Sequence, residues 1–151
     1  MIYTKLDRES AKELLVLGKD LHAESRYSSL PYNEESIWKL LDLTLVMPNK
    51  FLCAYSRDQE GKINGFFLGQ ITTEYFTNLK VANDLGMYVS PKHRGSSIFY
   101  RMLKTFEQWS KDNQASKIIL YHSTGINPEQ SKEMFPKMGY THYGHIFDKE
   151  L

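Results

Sequence analysis

The run Met87-Tyr88-Val89-Ser90-Pro91-Lys92-His93-Arg94-Gly95-Ser96-Ser97-Ile98 has the residue types and order for anion chemistry. It passes from a β-type segment through a polar proline turn into an amphipathic stretch. A helix opening there aims unpaired N–H groups and a positive dipole end at whatever lies beyond it. A phosphate or pyrophosphate is the natural occupant. Arg94 would add a permanent charge, Gly95 close backbone approach, and Ser96, Ser97 and Ile98 further amide or hydroxyl donors. The same residues are explained equally well by a capped helix after a proline turn, with Ser96 or Ser97 as the cap and Arg94 in solvent.

The elements that must carry this loop follow from periodicity. A weak strand at 2–6 precedes a helix from about 8 to 22, with Leu14, Leu15, Leu17 and Leu21 at helical spacing. The polar, aromatic stretch Glu24 to Tyr32 reads as an exposed connection. Asn33 caps a second helix that Pro48 ends. Phe51 to Ser56, Ile63 to about Phe76, and Leu85 to Val89 read as strands, the first two forming a hairpin through Asp58 to Lys62. Ile98, Met102, Phe106 and Trp109 share one face of a helix from about 97 to 113 and are expected in the core. Ile118 to Tyr121 reads as a strand buried in the middle of a sheet. A helix over about 128–137 follows, with Asn127 as cap and Pro128 at its first position. A last strand is expected from Tyr140 to Phe147. This order describes a mixed α/β fold, mostly antiparallel in its first half, and neither a Rossmann fold nor a bundle.

A length of 151 residues, 41% hydrophobic and 25% charged, suits one globular domain spanning 1–151. The formal charge of +1 supplies no general field toward nucleic acid or an anionic membrane, and no apolar run is long enough to span a bilayer. The single cysteine, Cys53, lies in an apolar run and is expected to be buried and inert. With no internal disulfide and no leader-like start, the expected location is the cytoplasm. His142 and His145, three apart in the expected final strand, would point to opposite faces, so no metal site is expected.

V-x-P-x-x-R-G, here Val89 to Gly95, together with the order of elements, resembles the signature of the GNAT acetyltransferases. That resemblance implies a single-domain fold whose mixed, mostly antiparallel sheet is splayed into a V with helices on both faces. It implies acetyl-CoA as co-substrate, no metal, an amine acceptor on a small molecule or protein, and a location away from nucleic acid and membrane; a homodimer is compatible with it. The pyrophosphate would lie on Arg94, Gly95, Ser96, Ser97 and Ile98, and the backbone of Met87 and Val89 would pair with the pantetheine arm like an added strand. Asn127 falls where similar enzymes place an asparagine near that arm, although a helix cap accounts for it equally.

The family's loop reads R-G-x-G-x-G/A. This chain has Ser97 for a glycine, and Phe99 for a small residue, which must pack beneath the cofactor or narrow the site. Similar enzymes carry an acid in a pattern like Y-x-x-x-G-F; here Phe135 stands in the tyrosine's place, and a phenyl ring has no proton to give. Asp84 and Glu74 are the candidate bases, and Tyr88 or Tyr121 could stand in for the acid. His122, at the end of its strand, is a base at neutral pH or simply a polar strand end. A catalytically silent module that binds acyl-CoA or a protein is the alternative reading.

Overall fold

The computed structural model describes residues 1–149 and 151. Five strands and four α-helices alternate as β1 (Ile2–Tyr3), α1 (Arg8–Glu24), α2 (Glu34–Val46), β2 (Phe51–Arg57), β3 (Ile63–Thr73), β4 (Lys80–Val89), α3 (Ile98–Asp112), β5 (Lys117–Ile119) and α4 (Pro128–Lys137). The strands lie in sequence order in one sheet. The first four pair antiparallel, and β5 pairs parallel to β4.

Two apolar layers hold this sheet. Leu14, Leu15 and Leu17 of α1 and Leu41 of α2 pack on Cys53, Tyr55, Phe66, Leu68 and Tyr88 on one face. Met102, Leu103 and Phe106 of α3 pack on Ala54, Phe67 and Ala82 on the other. The strict alternation of Phe66 and Phe67, and of Met87 and Tyr88, sends neighbouring side chains to opposite layers. Gly69 sets how close α3 can come, because a Cβ there would lie 2.3 Å from the Phe106 ring.

Helix boundaries follow local chemistry. Asp7 accepts the Ser10 N–H at 2.7 Å and Asn33 the Ser36 N–H at 3.0 Å, each satisfying an orphan donor of its first turn. At the β2–β3 hairpin the Asp58 carboxylate accepts from the N–H of Glu60 and of Lys62, while Gly61 takes φ +84°.

Several expectations need correction. β5 is an edge strand of three half-exposed residues, not a central one, because it meets only β4. β4 begins at Lys80 rather than Leu85, since Val81, Ala82 and Asn83 are paired on both sides, which places Asp84 inside the strand. Residues 140–147 form no strand and are mostly exposed. His142 and His145 therefore do not diverge; their rings stand 5.1 Å apart, edge to face. Trp109 lies at the rim of its layer, half-buried and donating to the Pro48 carbonyl at 2.9 Å, while Met102 and Phe106 are fully enclosed. Among the described residues no helix is long and apolar enough to cross a membrane.

Candidate functional site

The opening in the molecule comes from an interrupted strand pair. β4 runs from Lys80 to Val89, yet it pairs with β5 only at Val81, Ala82 and Asn83. The register between β3 and β4 shifts between Leu68 and Gly69, whose partners are Gly86 and Asp84, so Leu85 is an extra residue on β4. Such a bulge bends and twists its strand. Beyond it, β4 and the chain after β5 diverge, and Met87 to Val89, paired with β3 on one edge, face the gap with the other. A cleft of about 260 Å³ fills the divergence, between Met87 to Val89 on one wall, Thr124 to Asn127 on the other, and the α3 entry at one end.

That end is built as the sequence requires. Ser90 and Pro91 lead into a single 3-10 turn, Gly95 adopts φ +80° with no atom within 4 Å of where a Cβ would be, and α3 starts at Ile98. Ser97 occupies the capping position without making a side-chain cap bond, and the Ile98 N–H reaches only the Ser96 hydroxyl at 3.4 Å. Arg94, Gly95, Ser96 and Phe99 line the cleft while Ser97 and Ile98 do not; the under-used first-turn amides of α3 beside it suit an anion. Phe99 lines the cleft. Its ring lies edge-on to Phe135 at 6.0 Å, and Phe135 meets both His122 and Tyr140 in the same way, so Phe135 is the hub of an aromatic wall.

Arg94 is already engaged. Its Nε donates to the Val89 carbonyl at 2.9 Å, its Nη2 to Glu24 Oε2 at 2.7 Å, and its guanidinium lies 5.3 Å from the Tyr88 ring centre. Tyr88 donates its hydroxyl to the other oxygen of Glu24. Burial pushes the Glu24 carboxyl up, but the bonds from Tyr88 and Arg94 outweigh this and hold it below the usual range. Burial and the Glu24 charge push the Tyr88 phenol well up, so its proton is firmly held.

The other candidates divide clearly. Asp84 is buried and accepts the Tyr121 N–H at 2.5 Å; burial lifts its carboxyl above the usual range, opposed by that bond and by nearby His122. A smaller pocket of about 70 Å³ lies beside Asp84, and Met87, His122 and Thr124 line both it and the larger cleft. His122 therefore stands at the junction. Its Nε2 faces the Ile126 carbonyl at 2.9 Å and the Ser131 hydroxyl at 3.0 Å. A carbonyl only accepts, so Nε2 carries the hydrogen and the neutral ring keeps its lone pair on Nδ1. This arrangement cannot deprotonate Ser131, and it leaves Nδ1 as the proton-accepting atom. Asn127 has a left-handed backbone and no capping bond from its side chain, so its amide remains available at the cleft wall. Glu74 is not brought in: it lies in the β3–β4 turn, accepting the Tyr75 N–H, seven β4 residues before Met87, or roughly 20 Å along the strand.

Glu24 and Ser131 were not singled out as site residues by the sequence. Ser131 carried a signal, since it lies one helical turn before Phe135 on α4 and must share its face. Glu24 carried none, being seventy positions from Arg94 in the chain. Among the described residues no group of three or more His, Cys, Asp or Glu could hold a metal.

A β-bulged strand splayed from its parallel neighbour and ending on a glycine loop at a helix start is the arrangement that the resemblance to the GNAT acetyltransferases implies. Residues 19–140 match the acetyltransferase (GNAT) family, and the chain belongs to it. No curated protein sequence matches the chain. Among solved structures it is similar to glucosamine-6-phosphate N-acetyltransferase from Arabidopsis thaliana (14% identity, TM-score 0.75, 99% of this chain and 98% of that one). It is similar also to an aminoglycoside 6'-N-acetyltransferase from Acinetobacter haemolyticus (18%, 0.73, 100% and 99%). A third, an aminoglycoside acetyltransferase in complex with a CoA-containing bisubstrate analogue, matches at 13% identity and TM-score 0.74 over 100% and 97% of the two chains. At these identities the likeness shows the fold.

Proposed function

We propose that this chain is a single-domain N-acetyltransferase that moves acetyl from acetyl-CoA to a primary amine by direct attack in a ternary complex. The observation that carries this reading is the cleft opened where β4 leaves β5 after Asn83 and closed at the start of α3. The pantetheine arm would lie along the Met87 to Val89 edge with Asn127 opposite, and the pyrophosphate on the amides and hydroxyls of Gly95 to Ile98 beside Arg94. The acceptor amine would enter through the smaller pocket beside Asp84. Acetyl-CoA supplies the activated acyl carbon. The amine nitrogen forms a bond to that carbon, the C–S bond breaks, and CoA leaves as thiolate. The amine proton would pass to His122 Nδ1, the ring atom left free by the Ile126 and Ser131 contacts of Nε2. The formal charge of +1 supplies no general field that would draw the protein to nucleic acid or an anionic membrane.

Of the candidate acids, Phe135 has no proton to give, the Tyr88 proton is held by Glu24, and Tyr121 is half exposed and does not line the larger cleft. A thiol near 8.5 can leave unaided near neutral pH, whereas an alkyl amine near 10.4 is mostly protonated there. Deprotonation of the amine is therefore the larger obstacle. In a screen of primary amines with thiol detection, turnover should climb between about pH 7 and 9. His122→Gln should lower it and flatten that climb, and Phe135→Tyr should change it only a few-fold. A rise of two orders of magnitude in Phe135→Tyr would show that leaving-group protonation was limiting. The specific alternative, a silent acyl-CoA-binding module, draws on the same missing acid and on the engaged Arg94; CoA binding with no thiol release from any amine would favour it.

A further inference from the structure

The cation that the cofactor loop offers is neutralised in place by a carboxylate from another element. Glu24, the last residue of α1, uses both oxygens on the cofactor side: one accepts the Tyr88 hydroxyl and the other the Arg94 Nη2 at 2.7 Å. Arg94 cannot simply turn its guanidinium away, because its Nε is tied to the Val89 carbonyl at 2.9 Å and its face to the Tyr88 ring. Both partners of the ion pair are about one-third exposed, so the pair is neither deeply buried nor fully screened.

We infer that Glu24 is part of the cofactor site, as an exchangeable counter-ion that an incoming pyrophosphate must displace from Arg94. This deepens the acyl-CoA reading and rests on it. A pyrophosphate arriving at Gly95 to Ile98 brings negative charge to the guanidinium that Glu24 holds. The two anions repel one another, and both cannot have its Nη2 edge. Cofactor binding is then an exchange: the phosphate gains what Glu24 gives up, and the affinity is lower than the loop alone would give. When the guanidinium changes partners, the Glu24 carboxylate keeps only the Tyr88 hydroxyl, and the end of α1 loses one of its ties to the cofactor loop. The opposite reading is that Glu24 braces Arg94 in the posture the phosphate needs. The two differ in the sign of one substitution.

Calorimetric titration with CoA, which needs no acceptor, separates them. Glu24→Gln keeps the side chain's length and its capacity to accept from Tyr88 while removing the charge, and its melting temperature shows that the fold is intact. Exchange predicts that Glu24→Gln binds CoA about two- to fivefold more tightly than wild type, in keeping with a partly exposed ion pair. It predicts that Arg94→Gln binds more weakly, and that adding Glu24→Gln to Arg94→Gln recovers less than Glu24→Gln gains alone. Equal or weaker binding by Glu24→Gln, with wild type binding normally, overturns the inference in favour of bracing. Failure of wild type and Glu24→Gln alike to bind CoA would instead remove the acyl-CoA reading, and the exchange with it.

Discussion

Asp84 is the residue whose environment most constrains chemistry. Its carboxyl is 8% exposed and pushed up by burial, so its charged form is penalised in the fold. The contribution of such a group is fully favourable below its ordinary value of 3.8 and is lost as pH rises through the raised folded value. The cost of the charged form therefore grows as pH rises from about 4 toward neutral. Asp84→Asn retains an oxygen for the Tyr121 N–H without the charge. It should melt higher than wild type at pH 7, and the gap should narrow toward about pH 4, as melting curves at the two values will show. A variant that melts lower at pH 7 would mean that the attraction to His122 outweighs desolvation. At this scale the sequence named Asp84, Tyr88 and Arg94 by type and neighbourhood. It could not reveal that Tyr88 and Arg94 converge on Glu24, because that contact joins the end of one helix to a loop seventy residues away. Cys53 read correctly from its apolar run alone: it is buried, and its thiol is pushed up to about 12.

Among the elements, α3 and the strands beneath it decide whether the cleft keeps its shape. The Phe106 ring lies 4.6 Å from that of Phe67 and over Gly69, so the glycine is a spacer between helix and sheet. Gly69→Ala forces the ring to shift and should cost about 1 to 3 kcal/mol. Phe106→Ala should cost about 3 to 5 kcal/mol, and half-exposed Trp109→Ala clearly less. Denaturant melts check the order, and a Gly69→Ala protein as stable as wild type would show that α3 slides freely. The face of α3 was legible because its four apolar residues follow helical spacing. Its depth was not, because Trp109 sits at the rim and bonds outward to Pro48. The β5 segment misled for a related reason: Ile118 and Ile119 have the composition of a central strand but lie at an edge, where Ile118 packs into the α3 layer. The final strand expected at 140–147 failed because alternation in a short aromatic and histidine run does not supply a pairing partner.

For the whole molecule, the account turns on the sheet coming apart at one place. Pairing of β4 with β5 ends at Asn83, the bulge at Leu85 follows at once, and the cleft lies beyond both, between Met87 to Val89 and the chain after β5. The general fold was legible because element order survives errors in element length. The bulge was not, since Asn83-Asp84 also reads as a turn ahead of a short strand that begins at Leu85. The most direct measurement is an amide proton–nitrogen correlation spectrum of the protein titrated with CoA. Saturable shifts should concentrate at Met87 to Phe99 and at His122 to Ser131, on the two walls and the closed end of the cleft. Spectra unchanged by millimolar CoA, or shifts centred away from both segments, would contradict the assignment of this cleft as the acyl-CoA site.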